Sequence, residues 1–228
     1  MYKTEDIRDI FKQKLTNKEF RITKDGTKTL ELQAIQFEAN NDWIIRKPNY
    51  EYAKREIAWY ISMSRNVYDM KPPVPKIWQQ VADINGDINS NYGWMIYSKE
   101  NGSQYYNCLW SLMNDPTTRQ AVMIYTRPSM QQDWNKNHMH DFCCTHYVHC
   151  FLNKKEDSDG YDFIYAVYQR SCDSVFGYNS DVQWHMHVQK QLATDLAKKM
   201  EVDIEMKPII YNCGSLHVYE RHFKYLKE

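Results

Sequence analysis

The sequence lacks several features that would point to particular classes of protein. Its 29 Lys and Arg residues balance 29 Asp and Glu residues, so no net positive charge exists to steer the chain onto nucleic acid. It contains no apolar run of roughly 18 residues, the length that a membrane helix needs, and its first residues show no signal-peptide pattern, so we expect no signal peptide. Its six cysteines contain no C-x-x-C pair and no regular spacing. We therefore expect a reduced, soluble, cytoplasmic protein that binds neither membranes nor nucleic acid directly.

The length of the chain and the order of its patterns predict a single domain of mixed structure. The 228 residues suffice for one core, and the polar stretch 154–160 is a connector within it. The prolines at 72, 73 and 75 predict an extended segment, because proline fixes φ and removes an N–H donor. The irregular order of the elements predicts an α+β fold over residues 1–228. Helical periodicity covers 7–15, 50–63, 103–114 and 181–198, and strand-like runs cover 20–23, 28–37, 120–127, 144–152, 161–168, 206–211 and 216–219.

The stretch from Asp141 to Cys150 concentrates residue types that carry chemistry, and three interpretations of it are open. A buried strand is the simplest, since free cysteine packs as a small hydrophobe. A metal site is the second, because seven histidines and cysteines fall between His138 and Cys150. The third is a catalytic nucleophile at Cys144, which requires a lowered thiol pKa and cationic neighbours.

Three other segments place polar side chains where they can act on a substrate. Arg170 and Ser171 leave an apolar strand together and can offer a phosphate a bidentate donor and a hydroxyl, although a surface arginine beside a turn serine is the commoner explanation. His217 and Tyr219 alternate, so they share one face of a strand and suit a sugar hydroxyl, but any half-buried strand alternates in this way. Glu56 lies inside an otherwise apolar helix, where a carboxylate has to be paired, exposed or functional.

These segments, in this order, resemble the thymidylate synthase family over nearly the whole chain. Each match is weak by itself, whereas the collinear series is specific. Within the family, the segments 77–82, 88–94, 123–130 and 214–219 resemble the bacteriophage members that hydroxymethylate deoxycytidylate (dCMP). The matching segments are Lys24-Asp25-Gly26-Thr27, Glu56-Ile57-Ala58-Trp59-Tyr60, Lys76-Ile77-Trp78, Asn85-Gly86-Asp87, Tyr92-Gly93, Cys144, Gln169-Arg170-Ser171-Cys172-Asp173, Phe176-Gly177 and His217-Val218-Tyr219.

The resemblance implies a fold and a reaction. The fold would be the thymidylate synthase fold, a large twisted mixed β-sheet with packed helices that dimerises through the sheet. The reaction would transfer a one-carbon unit from 5,10-methylenetetrahydrofolate to C5 of dCMP and add water, giving 5-hydroxymethyl-dCMP and tetrahydrofolate without a metal. A pyrimidine nucleotide C5-methylase or a dUMP hydroxymethylase of the same family is an alternative. A non-catalytic relative that binds nucleotide or RNA is an alternative from another class.

The resemblance also bears on partners and on the fate of the one-carbon unit. It implies a homodimer that acts on dCMP and folate in the cytoplasm of a host cell, where a replication or nucleotide-precursor complex could include it. The segment after Phe223 is short. We expect it to close incompletely over the folate, and a site that admits water favours hydroxymethylation over hydride transfer.

Individual residues acquire roles from the same resemblance. Cys144 falls at the family's nucleophile, which adds to C6 of the pyrimidine, and Glu56 falls at the glutamate that organises water and proton transfer. Arg119 matches an arginine that reaches the phosphate of the partner subunit, but the next residue is Gln120, where the family commonly has a second arginine. The other implied substrate contacts are Lys24, Arg170, Ser171, Asp173, His217 and Tyr219, and the implied folate contacts are Trp78, Tyr92 and Asp173.

Asp181 is the position that bears on the choice of base. It stands where thymidylate synthases have asparagine, whose amide complements the N3–H donor and the O4 acceptor of uracil. Cytosine presents an N4 amino group and an unprotonated N3, so a carboxylate can accept from N4 and stabilise N3 once it is protonated in the covalent adduct. The other interpretation is that Asp181 caps the helix whose pattern begins there.

Overall fold

Seven α-helices and three 3₁₀ helices occur in the computed structural model, which describes residues 1–227. None of the helices in these residues combines the length and the apolar character that crossing a membrane requires. The 3₁₀ helices are Val67–Asp69, Lys136–His138 and Glu220–Leu226. The α-helices are α1 Thr4–Thr16, α2 Tyr50–Ile61, α3 Lys76–Val81, α4 Tyr92–Tyr97, α5 Gln104–Asn114, α6 Ser129–Asp133 and α7 Gly177–Met200.

Nine strands in the same residues form one mixed sheet, as the family resemblance implies. Its main path runs β1-β3-β9-β6-β5-β4, while β2 pairs with β3, β7 with β9 and β8 with β6. The central strand β9 is antiparallel to β3 and parallel to β6 and β7. The strands are β1 Tyr2–Lys3, β2 Arg21–Ile22, β3 Lys28–Ala39, β4 Val122–Ile124, β5 Thr145–Lys154, β6 Tyr161–Gln169, β7 Cys172–Asp173, β8 Ile204–Met206 and β9 Ile209–Tyr219.

The two faces of this sheet differ in how deeply they are buried. On β5, Val148 and Cys150 are fully buried, and α7 contributes the fully buried Trp184 to the same core. The intervening side chains point to the opposite face, because side chains alternate along a strand. There the rings of Tyr147 on β5 and Tyr168 on β6 are partly exposed and stack at 4.3 Å.

Most of the predicted elements are confirmed, and the errors have physical causes. The helices predicted at 7–15, 50–63, 103–114 and 181–198 correspond to α1, α2, α5 and α7. The runs 206–211 and 216–219 contain β structure as predicted, but one strand, β9, joins them through Asn212 and Gly214, where no apolar pattern marks it. The short helices α3 and α4 have six residues each, too few for helical periodicity to appear in the sequence.

A glycine allows α4 to approach α2, and this contact positions the centre of the molecule. A Cβ atom at Gly93 would lie 1.8 Å from the carbonyl oxygen of Tyr60, so only glycine fits here. Next to this contact, the rings of Tyr60 and Tyr92 stack at 5.2 Å. The close approach therefore places Tyr92 and the helix carrying Glu56 side by side.

Candidate active site

Cys144 lies in the loop that leads into β5, and a buried carboxylate anchors this loop. Oδ2 of Asp141 accepts hydrogen bonds from the backbone N–H groups of Asn89 and Ser90 at 2.8 and 2.6 Å, and its Oδ1 accepts from the Ser90 hydroxyl at 2.7 Å. Three donors on one carboxylate tie the loop to the turn before α4. The strand begins at Thr145 and not at 144 as predicted, so Cys144 stands just outside the sheet.

Arg170 supplies the positive charge nearest to the Cys144 thiol. Its Nη2 lies 3.6 Å from Sγ of Cys144, and its Nε and Nη2 donate to the carbonyl oxygens of Cys143 and Phe142 at 3.0 and 2.6 Å. Burial raises the pKa of the Cys144 thiol to about 11, although the charge of Arg170 acts in the opposite direction. The expected cationic neighbour is confirmed, but the expected lowered thiol pKa is wrong, because desolvation outweighs one guanidinium.

The two adjacent cysteines occupy different environments. Cys143 is fully buried with its Sγ 3.0 Å from the carbonyl oxygen of Thr145, whereas Cys144 is partly exposed. Packing therefore explains Cys143, and Cys144 is the thiol that a substrate can reach. Within residues 1–227, no group of three or more His, Cys, Asp or Glu side chains is arranged to hold a metal ion, and His138 and His140 are exposed.

Glu56 is a buried carboxylate whose hydrogen bonds converge on one oxygen. Its Oε1 accepts from the Tyr52 hydroxyl and from Nε1 of Trp78, the latter at 3.0 Å. The residue is only 3% exposed, and burial raises the pKa of its carboxyl despite these donors. Of the alternatives open for Glu56, an exposed side chain is wrong. Trp78 lies beside it, packed edge-on against Trp59 at a centroid distance of 5.4 Å.

Asp181 belongs to a second hydrogen-bonded group, one turn into α7. Nε2 of Gln169 donates to Oδ2 of Asp181 at 2.8 Å and to the Thr145 hydroxyl at 3.1 Å, and Thr145 in turn donates to the Tyr92 hydroxyl at 3.1 Å. Burial raises the pKa of the Asp181 carboxyl to about 7, while the hydrogen bonds from Gln169 and Tyr92 lower it. Because α7 begins at Gly177, Asp181 is not a helix cap, and that interpretation is wrong.

A surface cavity of about 370 Å³ collects several of the predicted substrate residues, namely Lys24, Ser171, His217 and Tyr219. It is also lined by Arg21, Glu31 and Ser215, which sequence reasoning missed. Glu31 accepts from Arg21 Nη1 and from the Ser215 hydroxyl, both at 2.6 Å, and so holds the two side chains at the cavity wall. The sequence carries no signal for them, because only the pairing of β2, β3 and β9 brings them together.

Strand β9 contributes His217 and Tyr219 to this cavity, and β7 pairs with it in parallel. Asp173 stands opposite His217 in the register, and the rings of His217 and Tyr219 meet at 4.8 Å, which confirms their predicted common face. Burial lowers the pKa of His217, although Asp173 acts to raise it. A Cβ atom at Gly214 would lie 2.8 Å from the carbonyl oxygen of Arg170, so glycine lets β9 pass close to that residue.

The predicted residues therefore form two groups that meet at Arg170 and Ser171. Tyr92 is 4% exposed, so its hydroxyl, and not its ring face, is directed into the site. Arg119 joins neither group, because it is exposed on the loop before β4, where its carbonyl oxygen accepts from Nε2 of His149 at 3.1 Å. The deep group is Glu56, Trp78, Tyr92, Cys144 and Asp181, and the cavity group is Lys24, Ser171, Asp173, His217 and Tyr219.

The fold and this arrangement of residues define an enzyme class, and comparison with known proteins agrees with it. The family model described as thymidylate synthase matches residues 2–228, so the chain belongs to the thymidylate synthase family. A solved structure, the thermostable thymidylate synthase A from Bacillus subtilis, superimposes with a TM-score of 0.69 at 21% identity, covering 99% of this chain and 83% of that one. This likeness shows that the two proteins share a fold.

Curated relatives narrow the similarity within the family. The chain is 44% identical over 220 residues to the deoxycytidylate 5-hydroxymethyltransferases of Enterobacteria phages T4, T2 and T6, covering 96% of this chain and 87% of each relative. It is 27% identical over 177 residues to the thymidylate synthase of Fusobacterium nucleatum, covering 76% of this chain and 58% of that protein. The identity is thus higher with the deoxycytidylate 5-hydroxymethyltransferases, the members of the family that the sequence motifs resemble.

Proposed function

We propose that this protein transfers a one-carbon unit from 5,10-methylenetetrahydrofolate to C5 of dCMP and adds water, which yields 5-hydroxymethyl-dCMP and tetrahydrofolate. The similarity to deoxycytidylate 5-hydroxymethyltransferases over 96% of the chain supports this proposal. The preference for dCMP over dUMP rests on the carboxyl of Asp181. Gln169 donates a hydrogen bond to this carboxyl, and burial raises its pKa to about 7.

Asp181 suits cytosine because its carboxyl can hold or release a proton near neutral pH. The N4 amino group of cytosine donates and its N3 accepts, so the base needs a partner that can accept at one atom and give a proton at the other. A carboxyl with a pKa of about 7 can accept from N4 and share its proton with N3 as the covalent adduct forms. An amide at this position has no proton of comparable acidity to give.

Cys144 is the proposed nucleophile. Its Sγ bonds to C6 of the pyrimidine, the thiol proton leaves, and the electron pair of the 5,6 double bond moves to C5. With a pKa of about 11, the thiol is mostly protonated at neutral pH, so its proton has to depart as the C–S bond forms. The Arg170 guanidinium, 3.6 Å from Sγ, stabilises the negative charge that develops on sulfur.

The cavity group is proposed to bind the phosphate and the sugar. Lys24 and Ser171 line the cavity, and Arg170 precedes Ser171 in the chain, so two cations and a hydroxyl are proposed to meet the phosphate. His217 and Tyr219 offer an imidazole and a phenol from one strand face to a deoxyribose hydroxyl. These contacts hold the pyrimidine without taking part in its chemistry, so we expect them to affect binding more than bond formation.

The residues beside Glu56 fit a flat heteroaromatic co-substrate. Trp78 is partly exposed and its edge is fixed by the hydrogen bond to Glu56, so its ring can serve as one wall for a pterin, with Asp173 and the Tyr92 hydroxyl as further proposed contacts. When bound, the folate supplies the one-carbon unit at C5. Glu56 is proposed to hold the water that completes the reaction and to take up one of its protons.

The assembly proposed for this enzyme is a homodimer of single-domain subunits. The partly exposed sheet face carries the stacked rings of Tyr147 and Tyr168 together with His149 and Phe151, whose rings meet at 4.0 Å. Aromatic side chains of this kind suit a protein interface. In such a dimer Arg119 would reach the phosphate site of the partner, and the enzyme could work within a complex that supplies nucleotide precursors.

Product identification tests the proposed function directly. The purified protein is incubated with dCMP and methylenetetrahydrofolate, and the nucleotide product is identified by mass spectrometry, with dUMP in a parallel reaction. We expect 5-hydroxymethyl-dCMP from dCMP and little product from dUMP. Formation of 5-methyl-dCMP, product from dUMP alone, or binding of dCMP without any product would contradict the proposal and support one of the alternatives.

A further inference from the structure

Tyr52 forms a direct hydrogen bond with Glu56, the residue proposed to hold the water that completes the reaction. The Tyr52 hydroxyl donates to Oε1 of Glu56, and Nε1 of Trp78 donates to the same oxygen at 3.0 Å while lying 3.2 Å from the Tyr52 oxygen. Tyr52, Trp78 and Oε1 thus form a closed triangle of hydrogen-bonding groups. The Ser180 hydroxyl on α7 also hydrogen-bonds the Glu56 carboxyl. Because two donors already share Oε1, Oε2 keeps the larger remaining acceptor capacity on that side chain even with Ser180 as a partner.

The backbone and a neighbouring arginine hold Tyr52 in this position. Tyr52 and Glu56 are four residues apart on α2, so their side chains lie one above the other on the same helix face. The guanidinium of Arg55 lies 5.8 Å from the centre of the Tyr52 ring and donates to the carbonyl oxygens of Lys71 and Pro73, both at 3.0 Å. The phenol is therefore confined between α2 and the proline-rich segment.

We propose that Tyr52 is a positioning residue for Glu56. Together with Trp78, Tyr52 occupies Oε1 of Glu56, so that Oε2 receives the water added in the last step. This inference rests on the proposed function, in which Glu56 handles that water. A carboxylate with both oxygens free could turn and accept water from several directions. Tyr52 removes that freedom and leaves one productive orientation.

The addition of water to the exocyclic methylene carbon is the step that depends on this orientation. The water oxygen bonds to the exocyclic methylene carbon attached to C5, and one water proton passes to Oε2 of Glu56. The electron pair of the exocyclic double bond moves into the ring and then expels the Cys144 sulfur from C6, which restores the 5,6 double bond. The thiolate takes up the equivalent of the proton that Glu56 accepted, so the enzyme returns to its starting state.

Removing the Tyr52 hydroxyl has a second consequence, on the protonation of Glu56. A hydrogen bond donated to a carboxylate favours its charged form, so loss of the phenol O–H raises the pKa of Glu56 further. The titratable groups that face Glu56 are Tyr52 and Tyr60 on α2 and Asp181 on α7. Since Glu56 acts as a base, a higher pKa moves the acid limb of the pH–rate profile to higher pH.

The test compares Tyr52→Phe with a matched control, Tyr105→Phe. Tyr105 is also buried and donates to a carboxylate, Oδ2 of Asp195 at 2.6 Å, but this pair lies between α5 and α7 outside the site. We expect Tyr52→Phe to lower kcat for 5-hydroxymethyl-dCMP about ten-fold or more, with KM for dCMP nearly unchanged and the acid limb moved upward. Tyr105→Phe should keep the wild-type kcat and pH profile even if it lowers the melting temperature.

A trapped adduct separates positioning from misfolding. Fluorine at C5 cannot leave as a proton, so 5-fluoro-dCMP with methylenetetrahydrofolate stops the reaction before water is added. Tyr52→Phe should form this covalent adduct to the wild-type extent. The inference would be overturned if Tyr52→Phe left kcat and the acid limb unchanged or lost the adduct. It would also be overturned if Tyr105→Phe lost kcat to the same degree. Failure of the proposed function has a different signature, because the wild type itself would then yield no 5-hydroxymethyl-dCMP.

Discussion

Gln169 and Asp181 are joined by a hydrogen bond in which Nε2 of Gln169 donates to Oδ2 of Asp181 at 2.8 Å. The same nitrogen donates to the Thr145 hydroxyl at 3.1 Å, which defines the direction of the amide. Gln169 ends β6 and Asp181 lies one turn into α7, so the bond links sheet and helix at the floor of the site. Whatever side chain replaces Asp181 has to present an acceptor to Gln169.

Asp181→Asn should therefore shift the choice of base towards uracil. The asparagine oxygen would accept from Gln169, which leaves its NH₂ group to face the base, where it can donate to O4 of uracil but cannot accept from N4 of cytosine. We expect kcat/KM for dCMP to fall about ten- to a hundred-fold and kcat/KM for dUMP to rise. Asp195→Asn, on the same helix but paired with Tyr105, is the control. An unchanged ratio of the two values would remove Asp181 as the specificity residue.

The stability of the protein should depend on pH through Asp181. Its carboxyl has a pKa of about 7 in the folded chain and about 3.9 when unfolded, so between these values the folded state binds the extra proton. The free energy of unfolding should consequently fall as the pH rises from about 4 to about 7, and buried Glu56 acts in the same direction. Denaturant unfolding at several pH values measures this slope. Asp181→Asn should flatten it, and an identical slope in the variant would contradict the assignment.

Adjacent cysteines provide a matched pair for the nucleophile. Cys144→Ser should abolish product and adduct formation while dCMP binding stays within about an order of magnitude, because the phosphate and sugar contacts are untouched. Cys143→Ser should be mild, since the serine hydroxyl can donate to the Thr145 carbonyl oxygen that now lies 3.0 Å from Sγ. Activity assays and equilibrium dialysis on both variants provide the check. Loss of activity in Cys143→Ser with activity retained in Cys144→Ser would reverse the assignment.

Arg119 tests the proposed dimer. Arg119 is exposed and does not line the cavity of its own chain, so the proposed dimer is what would bring it to the phosphate. Arg119→Ala should raise KM for dCMP more than it lowers the melting temperature, whereas Gln120→Ala, the exposed neighbour, should change neither. Light scattering should report a dimer under assay conditions. A fully active monomer would rule out the role of Arg119.

Local patterns in the sequence predicted the long elements and the candidate residues of the site. The helical periodicity behind α1, α2, α5 and α7 appears in the sequence because each helix buries one face, which imposes its spacing on the apolar residues. The alternation of His217 and Tyr219 likewise predicted their shared strand face. Ordered motifs resembling one family then predicted its fold, since a collinear series constrains far more than any single match.

Tertiary structure decided the contacts and the ionisation of these residues. Arg21, Glu31 and Ser215 meet only because β2 and β9 flank β3, a pairing that no local pattern specifies. The raised pKa values of Cys144 and Asp181 come from burial by segments distant in the sequence, and desolvation depends on the three-dimensional surroundings of a group rather than on its neighbours along the chain. The tertiary structure also shows that α7 begins at Gly177, four residues before Asp181, and this start excludes Asp181 as the helix cap.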